Sequence, residues 1–225
     1  QQVVDEITAA GGEGIVNGDD VSSVEGAERL VNMAIETFGG LDVVLNNAGI
    51  VRDRMFANAT ADEWDAVMQV HLKGHFLPAK FAAGYWRDQS KAGKPVSGRI
   101  INTSSGAGLL GSIAQAAYSA AKGGIASLTL VQAAELGRYG VTANALAPSA
   151  RTRMTEEAFA EMMAAPTDGS FDSMAPENVS PAVVWLGSEQ SSHVTGRVFE
   201  LEGGKIGIAQ GWMHGPTFDK GARLE

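Results

Sequence analysis

Residues 41–45 (LDVVL) are a short apolar run between Gly39-Gly40 and the small, polar turn Asn46-Asn47-Ala48-Gly49. Such a run suits a parallel strand covered on both faces, and parallel strands need crossover helices to reach their neighbours. The rest of the chain supplies that alternation. Residues 1–10 read as the end of a helix, with Val3, Val4 and Ile7 on one face and Gly11-Gly12 as the stop. Ile15 and Val16 open a short strand that ends at Asp19-Asp20-Val21. Ser22 or Ser23 caps a helix over 24–38, whose buried stripe is Ala27, Leu30, Val31, Ala34 and Ile35. Thr60 and Glu63 form a capping box at the head of a long helix reaching about residue 89. Trp64, Val67, Met68, Leu72 and Phe76 supply its apolar face, and Pro78 predicts a kink near Gly74. Further strands are expected at 99–103, 141–147 and, as the last, 198–201, ended by Gly203-Gly204, with helices at 115–138 and 178–187. This alternation predicts an α/β fold with a doubly wound parallel sheet, residues 1–225 forming one domain. Met154, Phe159, Met162, Met163 and Phe171 make residues 151–175 either a lid over an apolar substrate or an ordinary surface helix and loop.

Composition narrows the class. A net charge of −9 without a basic cluster argues against a nucleic-acid partner. No run approaches the roughly 20 apolar residues of a membrane span, and no signal peptide is visible. The absence of cysteine excludes disulfides and thiol catalysis and fits a cytoplasmic enzyme. His71 and His75 have helical i, i+4 spacing, but no third ligand accompanies them, so packing is the better reading and no metal is expected.

The chemistry concentrates between Ser105 and Lys122 (SGAGLLGSIAQAAYSAAK). A strand delivers Ser105, a glycine-rich loop follows, and a helix then carries Tyr118 and Lys122 on one face. A free phenol has a pKa of about 10, and a nearby ammonium is expected to lower it toward the working range. Ser105 is placed to hydrogen-bond a substrate oxygen against the Tyr118 hydroxyl. This trio moves an O–H proton of an alcohol; the hydride requires a cofactor.

Ser105, Tyr118 and Lys122, with Asn46-Asn47-Ala48-Gly49 upstream, resemble the active site of the short-chain dehydrogenase/reductase family. The resemblance covers residues 20–204 and implies a Rossmann-like sheet and a nicotinamide cofactor, NAD or NADP. It implies that Ser105 positions the substrate, that Tyr118 is the acid/base, and that Lys122 tunes it and binds the cofactor ribose. It also implies that Asn47, Ala48 and Gly49 line the adenosine side and that Asp20-Val21 contacts the adenine. Helix 115–138 lies at a subunit contact in the family, so a homodimer or homotetramer is expected. NNAGIVRDR (46–54), VHLKG (70–74), TSSGAG (103–108), YSAAK (118–122) and SARTRMT (149–155) are similar to one branch. Its members are the (3R)-hydroxyacyl-CoA dehydrogenase modules of multifunctional enzymes type 2 and their bacterial stand-alone relatives. The branch implies oxidation of a 3-hydroxyacyl-CoA with NAD; relatives acting on hydroxysteroids keep a steroid open as substrate.

Departures from the family pattern are also visible. His71 stands where the family usually has an asparagine that holds a relay water. Ser149 follows Pro148 in place of glycine, and Arg153, between Thr152 and Thr155, takes the position of a threonine. A dinucleotide fold opens with a strand, a glycine-rich turn and a helix. Gly12, Gly14 and Gly18 lie instead between a helix and a strand, and read as a turn. The family chain would begin roughly 50 residues earlier, so the sequence looks like the family without its first βαβ unit. Either those residues exist but are not seen, or the chain is truncated. The alternative function is an inactive scaffold or binding protein; an epimerase or dehydratase would need a larger C-terminal substrate region.

Overall fold

The computed structural model describes residues 1–152, 163–219, 221 and 223. Its strands are β1 (Val43–Asn46), β2 (Gly98–Thr103), β3 (Val141–Ser149), β4 (Val198–Glu202) and β5 (Lys205–Ala209), paired in that order in one sheet. The first four run parallel, with Asn46 opposite Asn102, Thr103 opposite Leu146 and Ser149 opposite Glu202. Helices α1 (Gln2–Ala9), α2 (Val24–Phe38), α3 (Ala61–Met68), α4 (Gly74–Lys91), α5 (Gly106–Leu110), α6 (Ala116–Leu136) and α7 (Ser180–Gly187) complete the described regular structure, apart from short 3₁₀ and π turns.

Local chemistry sets the helix ends. Ser23 caps α2 by accepting from the Gly26 N–H, and Gly39 closes it in the left-handed conformation at φ 79°. The Thr60–Glu63 capping box opens α3. The long helix expected over 60–89 is divided: residues Gln69–Lys73 form a π turn, and α4 resumes at Gly74. Pro78 lacks the N–H that the Gly74 carbonyl would accept, so the disturbance falls where the kink was expected.

Strand alternation divides the core. Ile100 packs on one face with Ala79, Ala82, Trp86, Val141 and Ala143. Its neighbour Ile101 packs on the other with Leu146, Leu186, Phe199 and Leu201. Each buried Ile, Leu, Val or Phe among them contributes about 1.5–3 kcal/mol of apolar burial. The Trp86 ring lies over Gly98, where an added Cβ would come within 2.8 Å of it, and its N–H donates to the Leu41 carbonyl at 2.6 Å. Between the layers runs a buried polar chain. Asn46 Nδ2 donates to Asn102 Oδ1 at 3.0 Å, and Asn102 Nδ2 donates to Thr129 Oγ1 (2.9 Å) and Gln132 Oε1 (2.8 Å). It ties β1 and β2 to α6 at the carboxyl edge of the sheet.

Three expectations are corrected. Residues 15–16 make no strand, since no chain beside them among the described residues offers hydrogen bonds, and both side chains are half exposed. β1 is covered on one face only: Val44 joins the first core while Val43 and Leu45 face outward. β4 is not the last strand, because Gly203 and Gly204 turn the chain into β5, which returns antiparallel. Of the expected lid residues, Met154, Phe159 and Met162 lie outside the described residues, as do Arg153 and Thr155. Met163 is buried and Phe171 exposed. Arg151 holds this part of the chain through an ion pair with Asp172 and hydrogen bonds to the Met163 and Met174 carbonyls (2.9 and 2.7 Å).

Candidate active site

The carboxyl ends of β1 and β2 and the first two turns of α6 enclose the site. β2 ends at Thr103, so Ser105 emerges at the sheet edge and caps α5, accepting from the Ala107 N–H at 3.2 Å. α5 lies close on α6 because glycine permits it: a Cβ on Gly108 would stand 2.5 Å from the Lys122 carbonyl carbon. Ser104 locks the same turn by donating to the Lys122 carbonyl at 2.8 Å. These contacts fix the height of α6 against Ser105.

Tyr118 and Lys122 face the cleft from α6, and Lys122 is buried. Burial drops its ammonium to about 8. Lys122 Nζ donates to the Thr103 carbonyl at 2.6 Å and sits 5.6 Å from the centre of the Tyr118 ring. The Tyr118 phenol is raised above its ordinary value, first by burial; hydrogen bonding with Ser105 lowers it in part, and the Asp53 carboxylate raises it further. The expected lowering by the ammonium is therefore not the outcome in this structure. The lysine is directed at a backbone carbonyl, and desolvation of the phenol outweighs it.

His71, on the π turn, packs T-shaped with Tyr118, the ring centroids 5.2 Å apart and the planes at 90°. It is neutral, at about 4, chiefly through burial, with a hydrogen bond to the Ile50 carbonyl opposing and Lys122 reinforcing the shift. Nε2 lies 2.6 Å from the Ile50 carbonyl oxygen and 3.0 Å from the Ile50 backbone nitrogen, and Nδ1 is buried with no protein partner among the described residues. His75, one turn on, is also buried and neutral, at about 3. Among the described residues no group of three or more His, Cys, Asp or Glu could hold a metal ion.

The other expected residues reach this edge by different routes. Asn47 Oδ1 accepts from Thr103 Oγ1 at 3.1 Å, so the turn after β1 is tied to the end of β2. Gly49 lies against His71: a Cβ there would come within 2.5 Å of the imidazole, so this position has room only for glycine. Ala48 sits between them. Asp20 and Val21 form a separate turn at the head of α2, where Asp20 Oδ1 accepts from Ser22 N–H and Oγ (2.8 and 2.7 Å). Gln69 donates to the Ser22 carbonyl at 3.1 Å, and Val21 approaches Gly74, which brings that turn to the segment carrying His71. Sequence reasoning assigned nothing to Thr103, Ser104, Asp53 or Gln115. Asp53 accepts from Gln115 across 62 positions, a pairing that no local spacing signals.

Comparison with known proteins agrees with this arrangement. A family model described as short chain dehydrogenase matches residues 1–163. Hydroxyacyl-CoA dehydrogenase ChsB1 of Mycobacterium tuberculosis is 48% identical over 212 residues, 91% of this chain and 66% of that protein. Peroxisomal multifunctional enzyme type 2 of Mus musculus is 40% identical over 206 residues, 92% of this chain and 26% of that protein. A solved short chain dehydrogenase from Mycobacterium avium superposes with a TM-score of 0.90 at 63% identity, covering 100% of this chain and 73% of that one. The parallel sheet flanked by helices is thus a Rossmann-like α/β fold, and the chain belongs to the short-chain dehydrogenase family.

Proposed function

We propose that the protein is a nicotinamide-dependent dehydrogenase that oxidises a secondary alcohol, a 3-hydroxyacyl-CoA before a hydroxysteroid. The observation that carries this reading is the meeting of the Ser105 hydroxyl, the Tyr118 phenol and the Lys122 ammonium at the carboxyl edge of the sheet. The choice of acyl-CoA rests on ChsB1 and the multifunctional enzymes being relatives. Ser105 holds the substrate oxygen, Tyr118 takes its proton, and the Lys122 ammonium lies close enough to stabilise the phenolate as it forms. When bound, the nicotinamide accepts the hydride that the protein cannot hold.

The residues present fit such a cofactor: Lys122 would hold the nicotinamide ribose, Asn47, Ala48 and Gly49 would line the adenosine side, and Asp20 and Val21 would contact the adenine. Lys122 offers a buried ammonium, Asn47, Ala48 and Gly49 form a small-residue turn at the strand end, and Asp20 and Val21 lie beside the π turn. NAD is favoured over NADP on the similarity to the hydroxyacyl-CoA branch. No strand, glycine-rich turn and helix for a pyrophosphate occurs among the described residues. Residues 151–175 complete the same single domain as the substrate lid, its described part tethered by Arg151. Phe76 on α4 and Leu130 and Val131 on α6 are exposed, which supports a homodimer or homotetramer through these helices. A cytoplasmic setting accords with the absence of cysteine.

The test is to supply the full-length protein with a 3-hydroxyacyl-CoA and either NAD or NADP and follow reduced cofactor. Net formation of NADH is expected. Cofactor binding without net reduction would point to an epimerase; neither binding nor reduction would favour a scaffold.

A further inference from the structure

We infer that Asp53 and Gln115 are positioning residues that strap the catalytic turn of α6 to the chain leaving β1, with the Asp53 carboxylate held on the Tyr118 side of the site. The inference rests on the assignment of Tyr118 as the acid/base. Its geometry is a run of contacts across the mouth of the site. Gln115, the residue before α6, donates from Nε2 to both carboxylate oxygens of Asp53, at 3.2 and 3.1 Å. The Arg54 N–H donates to the Ala114 carbonyl at 2.7 Å, and Arg54 and Gln115 pair as an isolated parallel bridge. Arg54 Nε reaches Glu63 Oε1 at 2.9 Å, and Glu63 is itself half of the capping box that opens α3. The starts of α3 and α6 are therefore joined through residues 53–54.

Two features mark this strap as more than a loop contact. Ala114 adopts φ 62°, the one positive value for a non-glycine residue among the described residues, so the turn into α6 is held in a conformation that alanine resists. Gln115 also precedes Tyr118 by three positions, so the strap acts on the helical face that carries the phenol. Among the described residues, four groups approach that phenol. Lys122 approaches from its own helix but donates to Thr103, Ser105 comes from the cap of α5, and neutral His71 packs T-shaped from the π turn. Asp53 is the carboxylate among them, and an anion there favours the protonated phenol.

The experiment is the pH dependence of kcat/KM for alcohol oxidation by the full-length enzyme, with NAD affinity measured beside it. Asp53→Asn keeps an oxygen for Gln115 but removes the charge, so its rising limb should move to lower pH by about half a unit. Gln115→Ala keeps the charge but releases the strap, so kcat should fall about tenfold with NAD affinity unchanged. If Tyr118→Phe is inactive while the Asp53→Asn limb stays in place or Gln115→Ala keeps full kcat, the inference is overturned and the assignment of Tyr118 stands. If Tyr118→Phe retains turnover, the assignment fails and takes the inference with it.

Discussion

His71 and His75 are both buried, and burial holds them neutral at about 4 and about 3. In the unfolded chain each returns to its ordinary value near 6.5. Between those values the unfolded state binds protons that the native state does not, so stability falls as pH falls through 6.5. The loss is about 2 kcal/mol per histidine between pH 6.5 and 5. Urea unfolding at pH 7 and pH 5 should show it, and His71→Asn should remove about half of the two histidines' share. An unchanged pH dependence in that variant would show that His71 is charged in the fold. Lys122 acts in the alkaline range with the sign set by its folded value of about 8, below the ordinary 10.5. The cost of burying it is full below pH 8 and is relieved as pH rises toward 10.5. Ser105, Tyr118 and Lys122 were legible as candidates because residue type and spacing alone mark them. The direction of the Tyr118 shift was not, because it depends on burial and on a carboxylate 65 positions away in the chain.

At the scale of elements, the α5–α6 contact decides whether Ser105 and Tyr118 meet. Gly108→Ala places a methyl 2.5 Å from the Lys122 backbone, which cannot give way as a side chain tip could. It should lower stability by about 1–3 kcal/mol and reduce kcat while leaving cofactor affinity largely intact. Thermal unfolding and steady-state kinetics check both, and wild-type values for both would contradict the packing described. The polar chain through Asn102 is the second such element. Asn102→Ala takes a buried partner from Asn46, Thr129 and Gln132, of which Asn46 keeps the His75 carbonyl and Thr129 the Ile125 carbonyl, and should cost about 1–3 kcal/mol, read as a lower urea midpoint. Helix boundaries were legible because their causes are local: the Ser23 cap, the Gly39 stop and the Thr60–Glu63 box all act within a turn. β5 and the loss of a strand at 15–16 were not, because strand formation depends on what lies alongside.

For the whole molecule, the parallel order β1 to β4 brings three distant stretches to one edge: 46–50 after β1, 103–105 after β2, and the turn into α6. No helix among the described residues is long and apolar enough to cross a membrane. The exposed apolar residues of α4 and α6 lead to a prediction at this scale. Val131→Glu should shift the sedimentation coefficient to a smaller species, whereas an unaltered coefficient would remove these helices from any subunit contact. The central claim is that Tyr118 moves the substrate proton in a nicotinamide-dependent oxidation. The most direct test is the rate of NADH formation from a 3-hydroxyacyl-CoA by the wild-type protein and by Tyr118→Phe, with NADH binding followed by its fluorescence. The account predicts turnover in the wild type, loss of it by about three orders of magnitude or more in the variant, and similar NADH affinity in both. Comparable turnover in the two proteins would contradict it.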